Sequence, residues 1–75
     1  MYIIKEHLVS NTKEKSLNKN YSNEYKISSS TDAQLMFKNI LEKNTNVLNY
    51  YAGKFEIVLL YNGVIQKKIK IKSEQ

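Results

Sequence analysis

Few side chains in this sequence are equipped for chemistry. His7 is the only histidine, Asp32 is the only aspartate, and there is no cysteine. A metal centre built on His7 would lack a second soft ligand, so no metal site is expected. As a general base, His7 would need a nucleophile beside it. The nearest serine, Ser10, is three residues on, and on a strand that spacing puts the two on opposite faces. The seven carboxylates are spread singly, with no pair of the kind that hydrolyses glycosides. Gly53 and Gly63 are isolated, and no GxGxxG, P-loop or GxSxG pattern occurs. Pockets for small molecules usually need roughly 300 Å³ or more, and a domain this short buries only about 60% of its unfolded surface. The expectation is a protein that is not an enzyme, with no catalytic residue, no metal, no cofactor and no small-molecule substrate.

The charged groups that do recur are lysines. All twelve basic residues are lysine, against seven acidic ones, for a formal net charge of +5. Lys68, Lys70 and Lys72 alternate along one face of the last strand-like run, with Lys67 on the other. Such a stripe suits phosphates and other anionic partners, so sequence-blind nucleic-acid binding is the alternative function for these three residues. Lysines on an edge strand also discourage edge-to-edge aggregation. Arginine, which reads guanine and grips phosphate bidentately, is absent. Lysine, asparagine, isoleucine and tyrosine make up 35 of the 75 residues. All four have A/T-rich codons, so the missing arginine is expected to reflect an A/T-rich genome, that of a low-GC bacterium, its phage or an A/T-rich eukaryote.

The elements that would position these groups can be read from periodicity. Met1 to Val9 reads as a strand. Its two faces, Tyr2/Ile4/Glu6/Leu8 and Ile3/Lys5/His7/Val9, are each at least half apolar, which predicts a central strand with cover on both sides. Residues 10–23 are polar, with only Leu17 and Tyr21 as anchors, and predict a long mobile loop with room for strand-like pairing at either end. Glu24 to Ser28 alternates like a half-buried antiparallel strand. Thr31-Asp32-Ala33-Gln34 fits a capping box with Thr31 as the N-cap. Ala33, Met36, Phe37, Ile40 and Leu41 follow as one apolar stripe, predicting a helix through about 44. Val47, Leu48 and Tyr51 would extend it to about 50, with Gly53 closing it.

Lys54 to Tyr61 and Val64 to Lys72 read as a hairpin. Asn62-Gly63 is the usual signal for a two-residue turn, but that turn pairs odd with even positions. It would set Phe55, Ile57 and Leu59 on one face with Gln66, Lys68 and Lys70. A three-residue loop, Tyr61-Asn62-Gly63 with only Gly63 at positive φ, restores agreement. It places Phe55, Ile57, Leu59, Ile65, Ile69 and Ile71 together and sets Lys68 opposite Glu56.

The order β-β-α-β-β predicts one α+β domain over 1–75, an antiparallel sheet of about four strands with one helix packed on one face. No run approaches the roughly 18 apolar residues that cross a bilayer, so no membrane contact is expected. The first residues lack a signal-peptide pattern, the cytoplasm is the expected address, and the sequon Asn20-Tyr21-Ser22 reads as chance. The more informative surplus is apolar. Val58, Leu60 and Val64 fall on the sheet face opposite Phe55, Ile57 and Leu59, and a single helix covers only one face. That patch must be solvated, covered by residues 10–23, or buried in a partner. The expected function is a small non-catalytic protein-binding module, of the phage or mobile-element accessory or inhibitor kind, that docks on a partner protein or forms a homodimer. Its partner-binding residues would be Val58, Leu60, Tyr61 and Val64, rimmed by the lysine stripe.

Overall fold

The computed structural model describes residues 1–11 and 19–73. They form β1 (Tyr2–Asn11), β2 (Lys19–Ile27), α1 (Ser30–Leu48), β3 (Ala52–Tyr61) and β4 (Val64–Ser73). The strands make one antiparallel sheet in the order β2-β1-β3-β4, with α1 laid mainly across β1 and β3. The α+β class and the element order are those expected.

β1 is interior, as its two half-apolar faces predict, but α1 covers only one of them. On the covered face Ile4, Leu8, Phe55, Ile57 and Leu59 meet Ala33, Phe37 and Leu48 of the helix, all buried. The polar run 10–23 is strand at both ends, as expected of its flanks. Ser10 and Asn11 end β1, and 19–23 begin β2, with Leu8 opposite Tyr21 and Glu6 opposite Asn23. The reason is that Tyr21, Asn23 and Tyr25 alternate toward the helix, where their polar tips find partners. The middle of the expected loop, including Leu17, lies outside the described residues.

The helix cap lies two residues before the expected one. Ser29, in extended backbone, is the N-cap, and its Oγ accepts from the Asp32 N–H at 3.3 Å. Thr31 is already helical, and Gln34 does not close a capping box: its Oε1 accepts from Lys67 Nζ at 3.0 Å. At the other end Asn44-Thr45-Asn46 is a poor helix former, yet α1 runs on to Leu48 and caps at Asn49. Tertiary contacts override propensity there. Asn44 is fully buried, its Nδ2 donating to the Ile40 carbonyl at 2.8 Å, and Thr45 Oγ1 donates to the Leu41 carbonyl at 2.8 Å. Gly53 does not close the helix. It lies in β3 opposite Ser10, where an added Cβ would sit 2.3 Å from the Val9 carbonyl oxygen, so only glycine admits this approach.

The hairpin corrects the expected three-residue loop. Tyr61 pairs with Val64, and Asn62 and Gly63 both have positive φ, 49° and 82°, the signature of a two-residue turn with the primed twist. Asn62 N–H also donates to the Met1 carbonyl at 3.2 Å, tying the tip to β1. Parity is restored one step later. Leu60 pairs with Ile65 and Leu59 with Lys67, leaving Gln66 as the extra residue of a bulge. Beyond it Ile69 faces Ile57 and Ile71 faces Phe55 under the helix, as parity demands. Without the bulge both isoleucines would turn to solvent, forfeiting about 2 kcal/mol or more, and Lys68 and Lys70 would turn toward the core. One unpaired backbone step is the smaller cost. Two expectations change: Ile65 joins Leu60 on the uncovered face, and Glu56 stands opposite Lys70 rather than Lys68.

Deleting Gln66 gives a test. In the observed register the deletion removes only the bulge and keeps every facing pair, so stability by denaturant unfolding should stay within about 1 kcal/mol. In a three-residue-loop register the same deletion would turn Ile69 and Ile71 outward and cost about 2 kcal/mol or more.

Candidate docking face

The register lays the uncovered face out as rows across β2, β1, β3 and β4. From the hairpin end these are Lys26–Ile3–Leu60–Ile65, Glu24–Lys5–Val58–Lys68, Ser22–His7–Glu56–Lys70 and Asn20–Val9–Lys54–Lys72. Six lysines therefore share the face with two carboxylates, and the apolar residues gather toward the hairpin. Ile3, Val58 and Leu60 are half-buried, while Ile65 is 55% exposed.

Three ion pairs lie on the rows. Lys5 Nζ is 3.8 Å from Glu24, and Glu56 takes Lys68 at 3.3 Å on one oxygen and Lys70 at 3.9 Å on the other. All the partners are well exposed, so each pair contributes little, of the order of 0–1 kcal/mol. Two shallow depressions flank His7. One of about 370 Å³ has Lys54, Glu56, Lys70 and Lys72 on its walls; the other, of about 510 Å³, has Lys5, Ser22, Glu24 and Val58. Such volumes exceed what a core this small was expected to offer, because they are open hollows on a twisted sheet rather than enclosed cavities.

The expected binding residues do not all stay together. Val58 and Leu60 are on the uncovered face as expected. Val64 is not: it pairs with Tyr61 in the helix-side row Ile27–Tyr2–Tyr61–Val64, and the Tyr61 ring lies 4.6 Å from that of Tyr2. The cause is the two-residue turn, and Ile65 takes the place expected for Val64. Lys68, Lys70 and Lys72 do alternate on one face, and Lys67 turns to the other, its ammonium 5.6 Å from the Phe37 ring centre. Two of the three stripe lysines already share Glu56. The rings of Tyr2, Tyr21, Tyr25, Phe55 and Tyr61 occupy helix-side rows, so apart from His7 the uncovered face carries no aromatic ring among the described residues.

Sequence reasoning missed the partner of His7. Its Nδ1 and Ser22 Oγ are 2.5 Å apart, a contact visible only once residues 19–23 are known to pair with β1. Ser22, His7 and Glu56 form one row, the residue types of a hydrolytic triad. The third member is turned away: the Glu56 oxygens take Lys68 and Lys70, so Glu56 does not orient the imidazole as a triad carboxylate does. Among the described residues no group of three or more histidine, aspartate or glutamate side chains is placed to hold a metal. No helix of the described residues is long and apolar enough to cross a membrane.

A second titratable cluster lies under the helix. Glu6 is buried, with Oε1 accepting from Tyr25 Oη–H at 2.6 Å and Asn23 Nδ2 at 3.0 Å, and Oε2 from Asn44 Nδ2 at 3.5 Å. Tyr21 donates its hydroxyl to Asn44 Oδ1. No buried side-chain polar atom among the described residues lacks a partner, which marks this network as structural. The hydrogen bond to Glu6, then burial, then the charge of Glu6 push the Tyr25 phenol up to about 12, and burial and the Glu6 charge raise that of Tyr21.

A search of protein families, of curated proteins and of solved structures finds no match to this chain.

The tyrosine network carries a pH consequence. A phenol whose folded pKa lies above its unfolded value favours folding fully below the unfolded value of about 10 and loses that contribution as pH rises toward 12. Denaturant midpoints should therefore fall between pH 10 and 12, and Tyr25→Phe should flatten the decline while lowering stability by about 1 kcal/mol at pH 7.

Proposed function

We propose that this chain is a non-catalytic binding module that docks an acidic protein partner on the uncovered face of its sheet. The observation that carries the reading is the make-up of that face: an apolar corner of Ile3, Val58, Leu60 and Ile65 adjoining six lysines and only two carboxylates. An apolar centre with a charged rim is how protein interfaces are built, and the charge excess selects an acidic partner and speeds its approach. Four strands spaced ~4.8 Å and four rows ~6.7 Å apart span about 500 Å², the size of a transient rather than an obligate interface.

Two other occupants fit less well. A second copy laid face to face would bring lysine rows against lysine rows. A nucleic acid would find Lys68 and Lys70 already sharing Glu56 and, among the described residues of the face, no ring other than His7 on which to stack a base. Docking without chemistry acts by covering a partner's surface, the mode of an inhibitor or adaptor.

The test uses a fluorescein-labelled peptide of alternating glutamate and leucine, followed by anisotropy at low salt. Leu60→Asp should weaken binding about tenfold with an unchanged melting profile, and binding should fall as salt rises. Equal binding by Leu60→Asp contradicts the reading. Tighter binding of an oligothymidine at the same ionic strength transfers the face to nucleic acid. A dimer in sedimentation that Leu60→Asp abolishes transfers it to a second copy.

A further inference from the structure

Resting on the docking reading above, we propose that His7 receives a carboxylate of the acidic partner and makes docking proton-dependent. His7 stands at the centre of the uncovered face and walls both depressions. Its ring is oriented, because Nδ1 bonds Ser22 Oγ at 2.5 Å, and its other nitrogen makes no hydrogen bond to the described residues.

The serine hydroxyl suits both states of the ring. It donates to Nδ1 of the neutral imidazole and accepts from Nδ1–H of the imidazolium, so the proton can arrive at Nε2 without loss of orientation. A carboxylate entering the 370 Å³ hollow meets that Nε2–H, with Lys54 and Lys70 on the walls.

The groups around the ring are few. Lys5 and Val9 flank it on β1; Ser22 stands opposite on β2, with Asn20 and Glu24 on the diagonals; Glu56 stands opposite on β3, with Lys54 and Val58 on the diagonals. Lys70 follows on β4, and α1 lies on the other side of the sheet. The nearest anion, Glu56, is turned to Lys68 and Lys70, which leaves the imidazolium charge for an incoming group.

Peptide glutamates titrate near 4.3 and keep their charge between pH 7.5 and 5.5, so a change of affinity over that interval reports a proton taken up by the receptor. Affinity of the glutamate–leucine peptide should rise about threefold over that interval at fixed ionic strength, the size expected of one added exposed ion pair. His7→Gln should bind as wild type does at pH 7.5 and lose the rise. In wild type the His7 Cε1–H resonance should titrate at higher pH with saturating peptide than without it. Equal affinity at both pH values, or a rise that survives in His7→Gln, overturns the role of His7 and leaves the docking reading standing. An unmoved imidazole midpoint does the same. No binding at either pH overturns both.

Discussion

The bulge at Gln66 is the constraint on which both faces of the sheet depend. A two-residue turn at Asn62-Gly63 sets β4 out of phase with β3, and one extra residue puts it back. Everything beyond the bulge inherits that correction: Ile69 and Ile71 close the core, and Lys68, Lys70 and Lys72 reach the uncovered face. The arrangement also shortens the apolar stretch of β4 that faces solvent at the sheet edge. An edge strand of lysines resists pairing with another chain, so the lysines of the proposed docking rim also guard that edge.

The helix is held by packing and by a buried polar clamp. Phe37 and Leu48 supply apolar contact, while Asn44 joins Glu6 and Tyr21, linking the second half of α1 to β1 and β2. Such a clamp adds little net stability over an apolar equivalent but is costly to leave half-made, so it fixes where the helix sits. With the one helix committed there, the opposite face keeps Ile3, Val58, Leu60 and Ile65 at the surface among lysines. The proposed docking is assigned to that face because the described residues leave nothing to cover it.

The order and type of the elements were legible in the sequence where the period was clear. The stripe from Ala33 to Leu41 has helical spacing, Tyr25 and Ile27 alternate, and the demand that Ile69 and Ile71 join Phe55 and Ile57 was sound. What could not be read was how that demand is met. A longer loop and a bulge both satisfy parity, and the tolerance of asparagine for positive φ tips the choice by a small margin. That margin exchanged Val64 for Ile65 in the candidate surface. Ser22 stayed hidden for a related reason. Its contact with His7 depends on the register of β2, and residues 19–23 look polar until Tyr21 and Asn23 are seen to meet buried polar partners. Thr31 lost the cap to Ser29 because several adjacent hydroxyls offered the same bond.

The bulge sorts β4 so that an apolar and lysine-rich face remains open among the described residues. The most direct measurement is the set of nuclear Overhauser contacts from the β4 isoleucine methyls in the free protein. Ile69 and Ile71 should contact the methyls and ring of Ile57 and Phe55, while Ile65 contacts Leu60 and has no contact with Phe55 or Ile57. Contacts from Ile65 to Leu59 or Ile57 would show a different sorting of the strand, and the docking face built on Ile3, Leu60 and Ile65 would not exist.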